Sequence, residues 1–344
     1  GKTEDFVSHI FNPRDGSCNG MQFILGLAKS DKHGHLVNLK PNADGKPGDL
    51  YSYIASKVRD KVMDDASNAS EEAMQYYDLY FKTIERLRNR FRMAELNNCP
   101  TAEYKKKAVK HYQRKYKAEL LKTDIIYWSK SKFSIREWRS IVKRGCMTYS
   151  YSSTRRGIGE QIIEDTRDLD NKFLANKQHS AARLLGSMVF DTIESALPEA
   201  SDVMEFFKSN CEAYMKSTGK QYGHSNILTN FPFLQNYFKQ KTVEVRLTDG
   251  LYVQGYDKKY SWISNVKFKV KSDLPIMNIA KSKSAVSPNT IHGLDSACLM
   301  LVIDACSFDI VTAHDSYASH CCNVEEMQKV IREKFKLIMD SNVL

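Results

Sequence analysis

A chain of 344 residues with 42% hydrophobic and 27% charged residues can bury a substantial core as one large or two interlocked domains. No apolar run approaches the ~20 residues needed to span a bilayer, and the opening GKTEDFVSHI lacks the apolar centre of a signal peptide, so a cytoplasmic globular protein is expected rather than a membrane or secreted one. Eight cysteines without a CxxC pair argue against a disulfide framework or a zinc ribbon, and the net charge of +10 is concentrated between Lys82 and Arg144, where nineteen Lys and Arg face six Asp and Glu.

In chain order, residues 4–14 read as a strand that ends at RDGS, followed by a helix through NGMQFILGLAK. A Gly, Pro and Asp-rich loop, PNADGKPGD, leads into a helix over 50–64. Two basic helices with interleaved Tyr and Phe are expected over 71–98 and 101–122. They are either solvated amphipathic helices or a surface that neutralises phosphates with salt-sensitive affinity. SIREWRSIVKRGCMTYSYSSTRRGIGEQIIED reads as a long helix, a break near Ser152 and a second helix, and helical patterning continues to about residue 217. The texture over 227–271 changes to β-formers, with TDG as the turn between TVEVRL and LYVQGY. Helix returns from about 290 to 305, then a strand and turn, then an amphipathic helix over 324–339. The pattern is a helix-dominated α+β fold without internal repeats.

VTAHDSYASH, residues 311–320, sets His314, Asp315 and Ser316 side by side. Neighbours on a strand point to opposite faces, so they are a poor Ser-His-Asp unit, and no nucleophile elbow supports a hydrolase built on Ser316 or Ser17. A carboxylate at a turn after an apolar strand is a good hard-oxygen ligand for a divalent cation. Asp15, also at a strand exit, is the natural second carboxylate, and a convergent pair can hold two Mg²⁺ ions for an in-line displacement. Either Asp alone also fits an ordinary turn, and His320-Cys321-Cys322 is a weaker metal candidate. On the helix Ser134–Ser150, Arg139, Lys143 and Met147 share one side with Tyr151 beyond it. That side is either a basic face over a buried Tyr or a site for a triphosphate.

DGSCNGMQ, RSIVKRGCMTYSYS and HDS occur in the order and with the residue types of the three polymerase motifs of the single-subunit RNA polymerases of phages and mitochondria. VNLKP…DLYSYIASKV and SPNTIHGLDSACL also resemble that family's intervening segments, so the likeness runs from about residue 5 to residue 339. The resemblance implies a right-hand polymerase, with a palm over about 1–60 and 270–344 that carries a small antiparallel sheet. Fingers would cover about 61–269, including a template- or promoter-reading β-hairpin over 243–265. It implies DNA-directed RNA synthesis with two Mg²⁺ ions held by Asp15, Asp315 and the Gly16 carbonyl. Arg139 and Lys143 would contact the triphosphate, and Lys143 would also protonate the leaving pyrophosphate. Tyr151 and His292 would inspect the 2′-hydroxyl, with Tyr51 nearby, and His314 would support the primer end.

Departures from the family pattern are Phe23 where His is usual, Ser152 where Gly follows the key Tyr, and Arg156 where an aromatic is usual. The resemblance implies DNA template, nascent RNA and ribonucleoside triphosphates as partners, with a second chain expected to supply the family's N-terminal and thumb portions. The expected location is the cytoplasm of an infected bacterial host, ahead of the mitochondrial matrix. The rival readings are a DNA polymerase of the same fold, in which a Glu would stand at Gly20 and block the 2′-hydroxyl, and a non-catalytic nucleic-acid-binding subunit.

Overall fold

The computed structural model describes residues 10–68, 124–130, 133–166, 178–246, 251–254, 260–263 and 267–341. The basic helices expected over 71–98 and 101–122 lie outside these residues. The first strand, β1, is Phe11–Asp15, and residues 4–9 of its expected range also lie outside the description. Helices α1 (Asn19–Leu27) and α2 (Leu50–Ser67) follow, then a helical turn over 124–129, α3 (Ile135–Tyr149), α4 (Arg155–Asp165), α5 (Gln178–Ala196) and α6 (Pro198–Thr218).

Local chemistry explains why these helices start where they do. Ser134 and Glu137 form a reciprocal capping box on α3, and Thr154 caps α4 through the Gly157 N–H. On α3, Trp138, Ile141, Val142, Cys146 and Tyr149 recur at helical spacing and are all buried, which turns the opposite side toward solvent. Buried Ile158 and Ile162 of α4 and Leu185, Val189 and Ile193 of α5 complete this part of the core. Gly159 and Gly186 let α4 and α5 cross closely, because a Cβ on Gly186 would run into the Gly159 backbone. The Trp128 indole donates to the Ala181 carbonyl at 2.8 Å and ties the 124–129 turn to α5.

Strands β2 (Gly223–Ser225) and β3 (Pro232–Leu234) form a short hairpin. The sequence pattern expects TDG to turn TVEVRL back onto LYVQGY. Instead β4 (Phe238–Arg246) pairs with β7 (Lys267–Met277), and β5 (Leu251–Gln254) pairs with β6 (Tyr260–Ile263). The long ladder aligns Val243 with Val270, Val245 with Phe268 and Glu244 with Lys269, cross-strand pairs that a β4–β5 hairpin would forgo.

Helix α7 spans Ile279–Ala305, eleven residues earlier than the pattern suggests. Pro288 reads as a helix stop but sits inside the helix, where a proline costs about 3 kcal/mol. Burial of Val286, Ile291 and Leu294 around it, and capping by Asn278, offset that cost. Strands β8 (Ile310–Ala313) and β9 (Ser316–His320) follow, then α8 (Val324–Asp340). β9 lies between β1 and β8 in a three-stranded antiparallel sheet, so the two ends of the chain meet there. The helix-dominated α+β class with small antiparallel sheets agrees with the sequence expectation, and no helix among the described residues is long and apolar enough to cross a membrane.

Candidate active site

Pairing of β1 with β9 sets Asp15 opposite Ser316, and the two-residue loop between β8 and β9 is His314-Asp315. The two aspartates, 300 positions apart in sequence, therefore sit at the same end of one sheet. His314 takes a positive φ of 54°, which turns the chain and leaves Asp315 beside Gly16. A Cβ on Gly16 would lie 3.0 Å from Asp315 Oδ2, so glycine admits that carboxylate. Burial, then the charges of Asp15 and Asp295, push the Asp315 carboxyl above its ordinary range. Burial likewise raises Asp295, although Asn19 Nδ2 donates to it at 2.8 Å.

The opposite wall is built by α3 and the start of α2. Arg139 Nε donates to Asp49 Oδ2 at 2.7 Å, and the guanidinium carbon lies 5.1 Å from the Tyr51 ring centre. Lys143 Nζ lies 5.8 Å from the same centre. Burial holds the Tyr51 phenol well above its ordinary pKa, so the ring is a neutral cushion under two cations. Just past α3, Tyr151 stacks on His292 of α7, with ring centres 4.9 Å apart and planes inclined by 15°. Burial, with Asp295 and Asp315 adding to it, pushes the Tyr151 phenol up to about 12, so it keeps its proton at neutral pH.

These walls enclose a cleft of about 690 Å³ that all nine sequence-predicted residues line: Asp15, Gly16 and Tyr51, Arg139, Lys143 and Tyr151, and His292, His314 and Asp315. Asp49, Asp295 and Asn19 also line it, and the residue-by-residue reading missed them. Asp49 was legible as a cap ahead of LYSYI, and Asp295 as the residue one helical turn beyond His292.

Gly20 lies against Ser150 and Tyr151. A Cβ there would collide with Ser150 Oγ and crowd the Tyr151 ring, so glycine lets Tyr151 approach α1. Ser152 has a φ of 61°, the left-handed region that favours the glycine it replaces in the family pattern. Phe23 is buried with its ring centre 5.0 Å from that of Phe335, and Arg156 pairs with Glu160 at 2.9 Å. Cys321 and Cys322 are exposed.

Among the described residues no group of three His, Cys, Asp or Glu side chains is arranged to hold a metal ion by itself. The carboxylates of Asp15 and Asp315 nonetheless suit a hard cation that completes its shell with water and substrate phosphates, as Mg²⁺ does. Burial, and after it the negative charge of Asp15 and Asp295, raises Asp315, and a bound cation would offset both.

A family model described as DNA-dependent RNA polymerase matches residues 1–344. The mitochondrial DNA-directed RNA polymerase of Schizosaccharomyces pombe is 23% identical over 358 residues, covering 100% of this chain and 25% of the relative. DNA-directed RNA polymerase 2, chloroplastic/mitochondrial, of Arabidopsis thaliana is 23% identical over 99% of this chain and 27% of its own length. The DNA-directed RNA polymerase of Pseudomonas phage phiKMV is 23% identical over 97% of this chain and 33% of its own length. The chain thus spans a quarter to a third of the length of these curated relatives.

Proposed function

Because the chain belongs to the DNA-dependent RNA polymerase family, we propose that it is the catalytic part of a DNA-directed RNA polymerase, which joins ribonucleoside triphosphates to an RNA 3′ end. The observation that carries this reading is the meeting of Asp15 and Asp315 across one cleft from Arg139 and Lys143. In this reading the sheet β1-β9-β8 with α7 and α8 belongs to a palm over about 1–60 and 270–344, and residues 61–269 belong to fingers. The β4–β7 ladder then corresponds to the family's template- or promoter-reading arm.

Asp15, Asp315 and the Gly16 carbonyl would hold two Mg²⁺ ions, which when bound supply Lewis-acid stabilisation and ease ionisation of the attacking 3′-hydroxyl. The protein's own groups do the rest. Arg139 offers its planar fork and Lys143 its compact charge to the β- and γ-phosphate oxygens as negative charge shifts toward pyrophosphate. Lys143 is placed to give that leaving group a proton. Tyr151 keeps a phenolic proton and His292 a ring nitrogen for the ribose 2′-hydroxyl, while their stack presents a flat face to the nucleotide. His314, in the loop beside Asp315, supports the RNA 3′ end.

The DNA template, nascent RNA and triphosphates are the partners, with the remaining two thirds or more of the relatives' length supplied elsewhere, on a second chain in this reading. The phage relative favours the cytoplasm of an infected bacterium, and the mitochondrial relatives make the mitochondrial matrix the second location. The test is an extension assay on primed DNA template with Mg²⁺ and either ribo- or deoxynucleotides, with and without candidate partner chains. Template-dependent ribonucleotide addition is expected. Preference for deoxynucleotides would make it a DNA polymerase, and binding without addition under every combination would make it an accessory subunit.

A further inference from the structure

Arg139 is the longest-reaching cation of the cleft, and an arginine free to sample its rotamers loses that freedom when it grips a phosphate. The structure restrains it beforehand. Asp49 stands at the N-terminus of α2, where its Oδ1 accepts from the backbone N–H groups of Tyr51 at 3.1 Å and Ser52 at 3.2 Å. Its Oδ2 accepts from Ser52 Oγ at 2.7 Å and from Arg139 Nε at 2.7 Å. The carboxylate is therefore fixed by one turn of helix before it touches Arg139. Only Nε of the guanidinium is engaged, and among the described residues neither terminal Nη group has an ion-pair partner. The Tyr51 ring, 5.1 Å beneath, limits the tilt of the guanidinium plane.

We infer that Asp49 is a positioning residue for nucleotide binding: it holds Arg139 by Nε so that both Nη groups present a preformed fork to the triphosphate. The inference deepens the polymerase reading of the cleft and rests on it. A carboxylate near a phosphate site also repels the phosphate, so Asp49 could instead be a competitor that the nucleotide must displace. The geometry favours positioning, because Asp49 bonds Nε and leaves the end-on Nη pair without an ion-pair partner among the described residues, whereas a competitor would occupy that pair. Asp49 itself is held ionised. Burial works against its charge, but the hydrogen bonds from Arg139 and Ser52 outweigh it and keep the carboxyl below its ordinary range.

The cap and the positioning role can be separated by chemistry. Asparagine is as good a helix cap as aspartate, so Asp49→Asn keeps an Oδ1 for the Tyr51 and Ser52 N–H groups while losing the charge that holds Arg139. Asp49→Ser provides a second cap-competent variant should the first fold poorly. In the full polymerase, Asp49→Asn is expected to raise KM for ribonucleotides about five- to tenfold and to change kcat less than about twofold. In an Arg139→Ala background the same substitution is expected to change KM by less than about twofold, because there is no fork left to place. A lowered KM would establish the competitor role and overturn the inference. An unchanged KM, or an equal rise with and without Arg139, would overturn it too. If Arg139→Ala itself extends primers at the wild-type rate, the reading of the cleft fails and the inference with it. Loss of nucleotide use in Arg139→Ala with none in Asp49→Asn overturns the inference alone.

Discussion

At the sheet end of the cleft, Asp15 and Asp315 meet while Asp295 of α7 adds its charge, and burial with this repulsion disfavours the charge on Asp315. At the helix wall, Arg139 is already bonded to a fixed carboxylate and both it and Lys143 rest over the Tyr51 ring. One wall is electrostatically unfinished and the other is settled in advance. Folding alone would not retain the first arrangement, because like charges at a sheet end destabilise it. A wall that awaits positive charge facing one that awaits negative charge is what a metal–triphosphate complex requires.

Removing a carboxylate should break this contrast with the largest effect. Asp15→Asn or Asp315→Asn is expected to lower nucleotide addition by at least about 10³-fold, since each would remove a ligand for the proposed ions, which stabilise such a transition state by several kcal/mol. Affinity for primed template, read by filter binding, should stay within about twofold. More than a trace of extension by either variant would show that the sheet wall is a mere turn.

The helix wall should respond less. Arg139→Ala and Lys143→Ala are each expected to reduce kcat/KM for ribonucleotides by about 10- to 100-fold in primer extension, as charged donors to a developing anion do, while DNA affinity holds. Wild-type rates in both variants would return α3 to a plain basic face. Smaller still is the effect on sugar choice. Tyr151→Phe keeps the ring stacked on His292 and removes only the hydroxyl, so ribonucleotide addition should largely survive while the ribo-to-deoxy ratio falls about tenfold. An unmoved ratio would leave Tyr151 a packing residue.

The smallest effect sharpens the contrast from the side of stability. In chelator at neutral pH, Asp315→Asn should raise Tm by roughly 1 to 2 °C through relief of repulsion. A carboxyl whose pKa is raised on folding contributes stability below its unfolded pKa and loses it as pH rises through the folded one. The gap between variant and wild type should therefore close as pH falls through the carboxylate range. A lower Tm for the variant at neutral pH would mean that Asp315 is satisfied without a cation.

Asp15, Asp315 and the cations of α3 were legible in the residues themselves, because they lie on elements whose punctuation is local, whereas Gly16, Tyr51, His292 and His314 came only with the family resemblance. The DGSCNG turn and the HDS loop mark strand ends, and the spacing of Arg139, Lys143 and Met147 places them on one helix face. What escaped depended on competition between distant segments. The partner of β4 is chosen by Val243, Val245 and Glu244 meeting Val270, Phe268 and Lys269, which no turn signal announces. The start of α7 was hidden by Pro288, whose cost is offset only by neighbours brought in by tertiary packing. Asp49 was visible as a cap, but its grip on Arg139 spans 90 positions and exists only once α2 and α3 pack. The close approach of Tyr151 to Gly20 likewise appears only once α1 and the end of α3 pack together.

The most direct test of the central claim, that Asp15 and Asp315 share a divalent-cation site, is cleavage of the chain by a cation at that site. Fe²⁺ can substitute for Mg²⁺ and, with ascorbate and peroxide, generates hydroxyl radicals that cut the polypeptide where the ion sits. Cuts are expected in two distant places, around Asp15 and around Asp315, suppressed by excess Mg²⁺ and lost in both places when either aspartate is changed to Asn. Cuts confined to one of the two segments, or a pattern unchanged in Asp15→Asn and Asp315→Asn, would contradict the shared site.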